Sequence, residues 1–420
     1  MKIARWAAAV LLVVSAAMLG CGEKEAETEA DLEGRLEDLR AVPYTNVSDD
    51  EASEENSGVV VHDPDRAYRG YNIFCGVTPH VYLMDMEGNV VHVWTYPEAE
   101  GGLWHHAIML ADGSIVIVNM HNHVLKLDWD SNLVWKQEMY AHHDIAELGD
   151  GSLHAIGVEV WTRRGLVVRF PTIVHLSPEG KEIDIWSAYS HLDHMKQTFD
   201  RRSFLDTILD SMLAHESWLT VYDKIAERDE VVESDLPGVQ YDHFHMNTIT
   251  VLPDTPLGRS DTRFREGNLL TCYRNVNQIA VQDGDTKQVL WTWGEGVLEW
   301  PHHPTMVPSG NILIFDNGVK RRYSRVIELN PVSGEIEWEY TGDPPERFFS
   351  KLKGSAQRLP NGNTFICEGD RGRAFEVTPE RDIVWEWRNP LIKGKRRVTV
   401  YRMMRIPPEA VERLLYRKTY

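Results

Sequence analysis

Beyond residue 70, apolar and polar positions alternate in short runs broken by Asp-Gly, Asn-Gly and Pro-Ser-Gly turns. Alternation with a period of two is the pattern of strands with one buried face, and the turn residues mark where the chain reverses. The segment HHAIMLADGSIVIVNMHNHVLKLDWDSNLVWKQEM (105–139) divides at its turns into four strands, 105–110, 114–119, 123–128 and 132–138. The same unit recurs from HHDIAELGDGSLHAIG to RFPTIVHLSPEGKEIDIWSAY, and over 245–296, 302–342 and 354–389. A repeated four-strand unit predicts stacked sheets that bury their faces against one another. The fourth strand of each copy closes on tryptophan: Trp94, Trp135, Trp186, Trp291, Trp338 and Trp385. Placed on outer strands, these rings pack between neighbouring sheets.

Six such endings predict an all-β, six-bladed β-propeller. The first copy, HVYLMDMEGNVVHVWTY (80–96), lacks a preceding histidine strand, and VTVYRMMRIPPEA (398–410) reads as that missing inner strand. The ring is then closed by the C-terminal strand, which removes exposed sheet edges. A two-domain β-sandwich is the competing architecture, and six copies of one unit argue against it. One segment breaks the rhythm. Residues at about 191–235 carry apolar side chains at helical spacing, among them Phe204, Leu205, Ile208, Leu209 and Met212, and predict a helical insertion between the third and fourth units.

The N-terminus has a different character. Lys2 and Arg5 precede an apolar run over 7–19, and Met18-Leu19-Gly20-Cys21 resembles a lipobox, so residues 1–21 read as a lipoprotein-type signal peptide with Cys21 as the lipidated residue. Residues 22–57 are acidic and poor in aromatics, and predict a disordered tether between a membrane and the domain at 58–420. The expected location is the periplasm, lipid-anchored, with Gly22 after the cysteine leaning towards the outer membrane. The net charge of −20 argues against a nucleic-acid partner, because phosphate binding needs basic clusters. Cys75, Cys272 and Cys367 remain, an odd number that permits at most one internal bridge; no C-x-x-C pattern points to a metal.

Candidate chemistry comes from where the histidines fall. If the strand opening on His-His is innermost, then His105/His106, His142/His143, His243/His245 and His302/His303 meet at one mouth of a channel. One such histidine is most simply a hydrogen-bonded strand residue, whereas several at one register point to a site. Imidazoles so gathered can bind a metal, move protons near neutral pH, or carry a transferred group. Asp144, beside His143, can orient a ligand. Arg274, in LLTCYRN, ends the second strand of the unit that holds His245, and its planar fork suits a sulfate or phosphate. Trp104, Trp300 and Tyr241, each just before a histidine motif, can wall an aromatic pocket.

The patterns HHDI…GDGSL, HMNTITVLP…EGNLLTCYRN and HHPTMVPSGNILIFDNG…SRVIEL together resemble the bacterial arylsulfotransferase family, over roughly residues 70–405. The resemblance implies a six-bladed propeller outside the cytoplasm. It also implies ping-pong transfer of a sulfuryl group from a phenolic sulfate ester to a phenol, through a sulfated histidine and without a nucleotide donor or other cofactor. Carried over by motif, His303 is the histidine that becomes sulfated. His143, His245 and Arg274 neutralise charge on sulfate oxygens and leaving phenolate, and His245 moves the proton. Read from position, His106, which has no catalytic counterpart carried over, lines the mouth, and with His302 and Asn247 it forms the substrate site, Asn247 orienting His245. The doubled histidines leave His302 and His142 as alternatives at their sites. Two further readings use the same residues: a non-catalytic propeller that binds a partner or aromatic ligand at its mouth, and a metal-dependent enzyme built on the histidine cluster.

Overall fold

The protein is described by a computed structural model over residues 46–76, 79–96, 103–163, 166–199, 239–242 and 244–416. All of them fall in one unit, Arg40–Tyr420. Cys21, the apolar run before it and the insertion beyond Phe199 up to residue 238 lie outside the described residues.

The chain is all-β and organised in antiparallel sheets of four successive strands. Sheet I contains Met403–Ile406, Tyr71–Cys75, His80–Met84 and Val90–Thr95, in that spatial order. Sheet II runs Leu103–Met109, Ile115–Met120, His123–Leu127, Leu133–Glu138; sheet III runs Ala141–Glu147, Leu153–Arg163, Leu166–Leu176, Glu182–Ser187. Sheet IV has Met246–Val251, Leu269–Tyr273, Gln278–Gln282 and Val289–Trp293, and sheet V has His302–Met306, Ile312–Asp316, Arg325–Leu329 and Ile336–Tyr340. Sheet VI has Ser355–Arg358, Thr364–Glu368, Arg373–Val377 and Ile383–Arg388, with Gly58–His62 added outside as a fifth strand. The strands expected over 105–138 match sheet II to within about two residues.

The core is divided into apolar clusters, six of them shared by two sheets. Trp94 and Leu83 of sheet I meet Ala107 and Ile117 of sheet II; Val118 of II meets Ala155 of III; Trp186 of III meets Leu269 of IV. Ile279 of IV meets Ile327 of V, Phe315 of V meets Phe375 of VI, and Trp385 of VI meets Phe74 and Met403 of I. Burying an apolar side chain is worth about 1.5–3 kcal/mol, so these contacts supply most of what holds the sheets together.

The repeated tryptophans explain the spacing. Trp135 donates its indole N–H to the Pro178 carbonyl at 3.1 Å, Trp338 to Pro379 at 3.0 Å, and Trp385 to Met86 at 2.9 Å. Each reaches the turn before the fourth strand of the next sheet, so one residue satisfies its polar edge and covers an apolar gap. Gly180, at φ +78°, lies in the turn under Trp135, and a Cβ there would come within 2.3 Å of the indole.

One expectation changes. The acidic stretch expected to be a tether through residue 57 takes regular structure where it is described: Val47–Glu51 pairs antiparallel with Arg396–Val398, and Glu54–Asn56 forms a 3-10 turn. Ser48 is buried, and Asp49 and Glu51 lie near Arg396 and Lys395, so basic residues elsewhere in the chain balance its charge locally. The insertion begins as the helix Leu192–Phe199, whose buried Leu192, Met195 and Phe199 pack into the cluster between sheets III and IV. Cys75, Cys272 and Cys367 are all free and buried, in the strands where an apolar residue would also fit.

Candidate active site

The histidine pairs open inner strands, and the backbone there departs from regular pleating. Register shifts fall between Ala141 and Ile145, between Met246 and Thr248, and between His302 and Thr305. His143, His245 and His303 sit at or beside these shifts with positive φ of 50°, 45° and 47°. A bulge with a left-handed residue re-aims a side chain that a flat strand would place in the sheet, at a local cost of about 1–3 kcal/mol. That three equivalent positions share the same unfavourable conformation marks them as set by the surroundings.

The imidazoles are 0–5% exposed, and they sort into two groups. In the first, the Asp242 carboxylate accepts from the backbone N–H of His245 at 3.0 Å and from its ring Nδ1–H at 2.6 Å. A carboxylate only accepts, so the His245 proton is on Nδ1 and Nε2 carries a lone pair. His245 Nε2 lies 2.9 Å from His143 Nε2, and His143 Nδ1 lies 3.0 Å from His105 Nε2. The order therefore propagates: His143 donates to His245 and accepts from His105, a chain of fixed polarity ending on Asp242. Arg274, fully buried in the 3-10 turn Arg274–Val276 after the second strand of sheet IV, donates its backbone N–H to the His245 carbonyl at 3.1 Å. Its guanidinium stacks 4.8 Å over Trp300. His302 contacts Asn317 Oδ1 at 2.7 Å and the Trp300 carbonyl at 3.0 Å through Nδ1. Both are acceptors, so Nε2 holds its lone pair, and it has no hydrogen-bond partner among the described residues.

The second group lies around Arg402, buried just before the strand Met403–Ile406. Arg402 Nη1 donates to Asp144 Oδ1 at 3.0 Å and lies 3.3 Å from His106 Nε2. Asp144 also accepts the backbone N–H groups of Ile145 and Ile249 at 3.0 and 3.2 Å. The other edge of the guanidinium, Nε and Nη2, is buried and has no hydrogen-bond partner among the described residues. His303 is held from both sides: its N–H donates to Thr248 Oγ1 and its Nδ1–H to the Ala356 carbonyl, each at 3.0 Å. Its Nε2 is thus the basic nitrogen. His106, Asp144, His303 and Arg402 line a cavity of about 370 Å³ whose walls continue over Ile108 and Met404, within the size of small-molecule sites.

Burial keeps these rings neutral. It lowers His245 to about 4, with Arg274 adding to the effect and Asp242 opposing it, and His302 to about 3, again with Arg274. Burial and then Arg402 hold His303 well below its ordinary value; burial and then the neighbouring histidines do the same to His143. Neutral imidazole is the form that attacks, accepts a proton or binds a metal.

The expected site residues are therefore distributed. His143, His245, His302, Arg274 and Trp300 belong to the first group, while His106 and His303 share the cavity with Arg402. Asn247 does not orient His245: its Nδ2 donates to the Pro301 carbonyl at 2.9 Å and its Oδ1 accepts from Thr248, while Asp242 does the orienting. Trp104 is 2% exposed and packs between sheets I and II, away from any aromatic pocket. Tyr241 lies in the strand Val239–Asp242, paired parallel to Leu166–Leu176; its side chain is outside the described ones. Arg402 was not among the sequence candidates, and the repeat held its signal: Tyr401-Arg402 precede the inner strand of sheet I where His-His opens the others. His142, His143 and His245 place ring nitrogens within 4.8 Å of one another and could hold a metal ion.

Among solved structures, similarity extends to a protein of unknown function from Bacteroides caccae at 12% identity and TM-score 0.48, covering 80% of this chain and 98% of that one. A streptogramin B lyase matches at 13% identity and TM-score 0.44 (82% and 87% covered), and a chain of a nidogen/laminin complex at 10% and 0.45 (79% and 97%). No curated protein matches the chain. The family model of arylsulfotransferases (ASST) matches residues 106–390, from the second histidine of sheet II to the end of sheet VI. With more than half of its length matched, including every histidine pair of the two groups but His105, the chain belongs to the arylsulfotransferase family.

Proposed function

We propose that this protein is an aryl-sulfate sulfotransferase on a six-bladed propeller, passing a sulfuryl group from a phenolic sulfate ester to a phenolic acceptor through sulfated His303. The ring is supported by the sequence of apolar clusters, which links each sheet to the next and sheet VI to sheet I, and by the pairing of Met403–Ile406 with Tyr71–Cys75. Export and lipid attachment at Cys21 are part of the same proposal and rest on the N-terminal sequence.

The observation that carries the chemistry is Arg402 on the wall of the cavity lined by His303, with its Nε and Nη2 buried and bonded to nothing among the described residues. A guanidinium edge matches two oxygens of a sulfate group, and a buried one without a partner is poised to take them. In the first half-reaction the His303 Nε2 lone pair attacks sulfur. The N–S bond forms as the S–O bond to the aryl group breaks, and the phenolate leaves with that electron pair and takes a proton from water. The Ala356 carbonyl, accepting from Nδ1–H, stabilises the ring while it is sulfated and cationic. In the second half the incoming phenol passes its proton through water to His245, whose Nε2 gives up its bond to His143 to take it, the phenol oxygen attacks sulfur, and the N–S pair returns to His303 Nε2. Asp242 stabilises the imidazolium formed on His245, which releases its proton to water. Arg402 and Arg274 oppose the charge that develops on oxygen, the electrostatic part of the barrier.

The test is to incubate the full chain with a chromogenic aryl sulfate, with and without a phenol, and to map acid-labile sulfate by mass spectrometry. Phenol release accelerated by acceptor, with the label on His303, is expected; His303→Asn lowers turnover by ~10³-fold or more and His302→Asn leaves a measurable rate. Label on His302, with an active His303→Asn protein, moves the nucleophile to the Arg274 group. No release and no label removes the transferase reading. A second reading, a metal centre on His142, His143 and His245, is favoured by their clustered nitrogens and by the Asp242 bond that orients His245 as a metal ligand is usually oriented. Activity abolished by a chelator and restored by zinc would support it.

A further inference from the structure

A second cavity, of about 760 Å³, opens away from the histidine groups, between the N-terminal segment at Ser48–Asn56, the Tyr340–Phe348 loop after sheet V, and the outer part of sheet VI. Its walls carry six arginines: Arg347, Arg371, Arg373, Arg381, Arg388 and Arg397. The molecule as a whole has a net charge of −20, so such a concentration of one sign is out of keeping with its surface.

Buried carboxylates neutralise part of it. Glu386 takes Arg373 through two parallel bonds, at 2.9 and 3.0 Å, and Arg388 at 2.7 Å; Glu368 takes Arg373 at 3.0 Å and lies 3.4 Å from Arg371. These pairs set the guanidinium planes on rigid strands. Among the described residues the remaining three arginines meet only neutral oxygens. Arg347 donates to the Asp343 carbonyl at 3.3 Å, Arg381 to the Glu339 carbonyl at 2.8 Å, and Arg397 to Ser57 Oγ at 2.9 Å and to the carbonyls of Asn56 and Asn389. Glu51 and Asp343 are the acidic residues on the walls, so the guanidiniums outnumber the carboxylates that face or pair with them. Burial and then Arg388 push Arg397 below its ordinary value, as expected where positive charge is crowded.

We propose that this cavity binds a small polyanion bearing two or more phosphate or sulfate groups. The argument is of spacing and sign. One anionic group is satisfied by one or two forks, whereas arginines on a loop, a turn and two strands around one cavity call for several groups carried on a frame of about disaccharide or nucleotide size. Arg397 has a separate task, tying Asn56 and Ser57 to Asn389, just past the last strand of sheet VI, and thereby closing one wall. The inference stands independently of the sulfuryl-transfer reading, since no residue is shared with either histidine group.

Calorimetry on the full chain at moderate salt tests it, with inositol hexakisphosphate, sucrose octasulfate and vesicles containing an anionic phospholipid as probes. Micromolar binding of a soluble probe, weakened at least tenfold in the double variant Arg347→Gln/Arg381→Gln, is expected. Both side chains are exposed and form no ion pair among the described residues, so the variant keeps its melting temperature and its aryl sulfate turnover. Preference for the phosphate or the sulfate probe identifies the group, and binding to vesicles alone assigns the ligand to a lipid surface and overturns the proposal. Equal binding by the double variant, or none of either soluble probe, overturns it as well.

Discussion

Arg402 and His303 show how much depends on single hydrogen-bond directions. Asp144 accepts from Nη1 of the Arg402 guanidinium, whose Nε and Nη2 have no partner among the described residues, and the Ala356 carbonyl accepts from Nδ1–H of His303 and leaves Nε2 basic. Arg402→Lys keeps the charge and loses the fork, so kcat/KM for an aryl sulfate should fall by ~10²-fold with most of the loss in KM. An unchanged KM would assign the sulfate to Arg274. Because burial holds His245 near 4, a base at that position is neutral through the physiological range. The rate should stay level from about pH 8 to 5 and decline towards 4, whereas an ordinary histidine base would decline near 6.5. A rate profile bending at 6.5 would exclude His245 as the base.

At the scale of elements, the packing of one sheet on the next depends on the tryptophan of each fourth strand and the tight turn it covers. Trp385 is fully buried and donates its indole N–H to Met86 at 2.9 Å, across the contact between sheets VI and I. Trp385→Ala should cost about 3–5 kcal/mol, read as a lowered denaturation midpoint. Gly180→Ala places a methyl against Trp135 and a side chain at φ +78°, and should destabilise by about 1–3 kcal/mol through both effects; a loss below a few tenths would mean the turn relaxes freely. These elements were legible because each copy carries its own alternation, turn residues and closing tryptophan. The bulges at the histidines were not. A period-two pattern registers which face a residue takes, and the left-handed twist at His143, His245 and His303 is imposed by bonds from neighbouring sheets, such as Thr248 to His303.

For the whole molecule, the seven buried histidines that open inner strands (His105, His106, His142, His143, His245, His302, His303) are all held below the ordinary imidazole value, chiefly by burial. Between those lowered values and about 6.5 the unfolded chain binds more protons than the folded one, so stability is complete above about pH 6.5 and is lost as pH falls towards 4. The melting temperature should be level from pH 8 to 7 and drop by several degrees or more by pH 5. A level melting temperature down to pH 4.5 would mean that the rings charge inside the fold.

The sequence by itself determined the repeat, the strand order within each unit, the position of histidine pairs at the start of inner strands and the family, because each is written in local alternation, turn chemistry and motif. Only the tertiary structure decided which histidines stand together. It divided His303 and His106 from His143, His245 and His302, set Arg402, from just before the last strand, beside His303 and His106, and gave Asp242 the task expected of Asn247. Hydrogen-bond partners hundreds of residues apart, as Arg402 and His106 are, depend on how the sheets are stacked, and no local pattern encodes that.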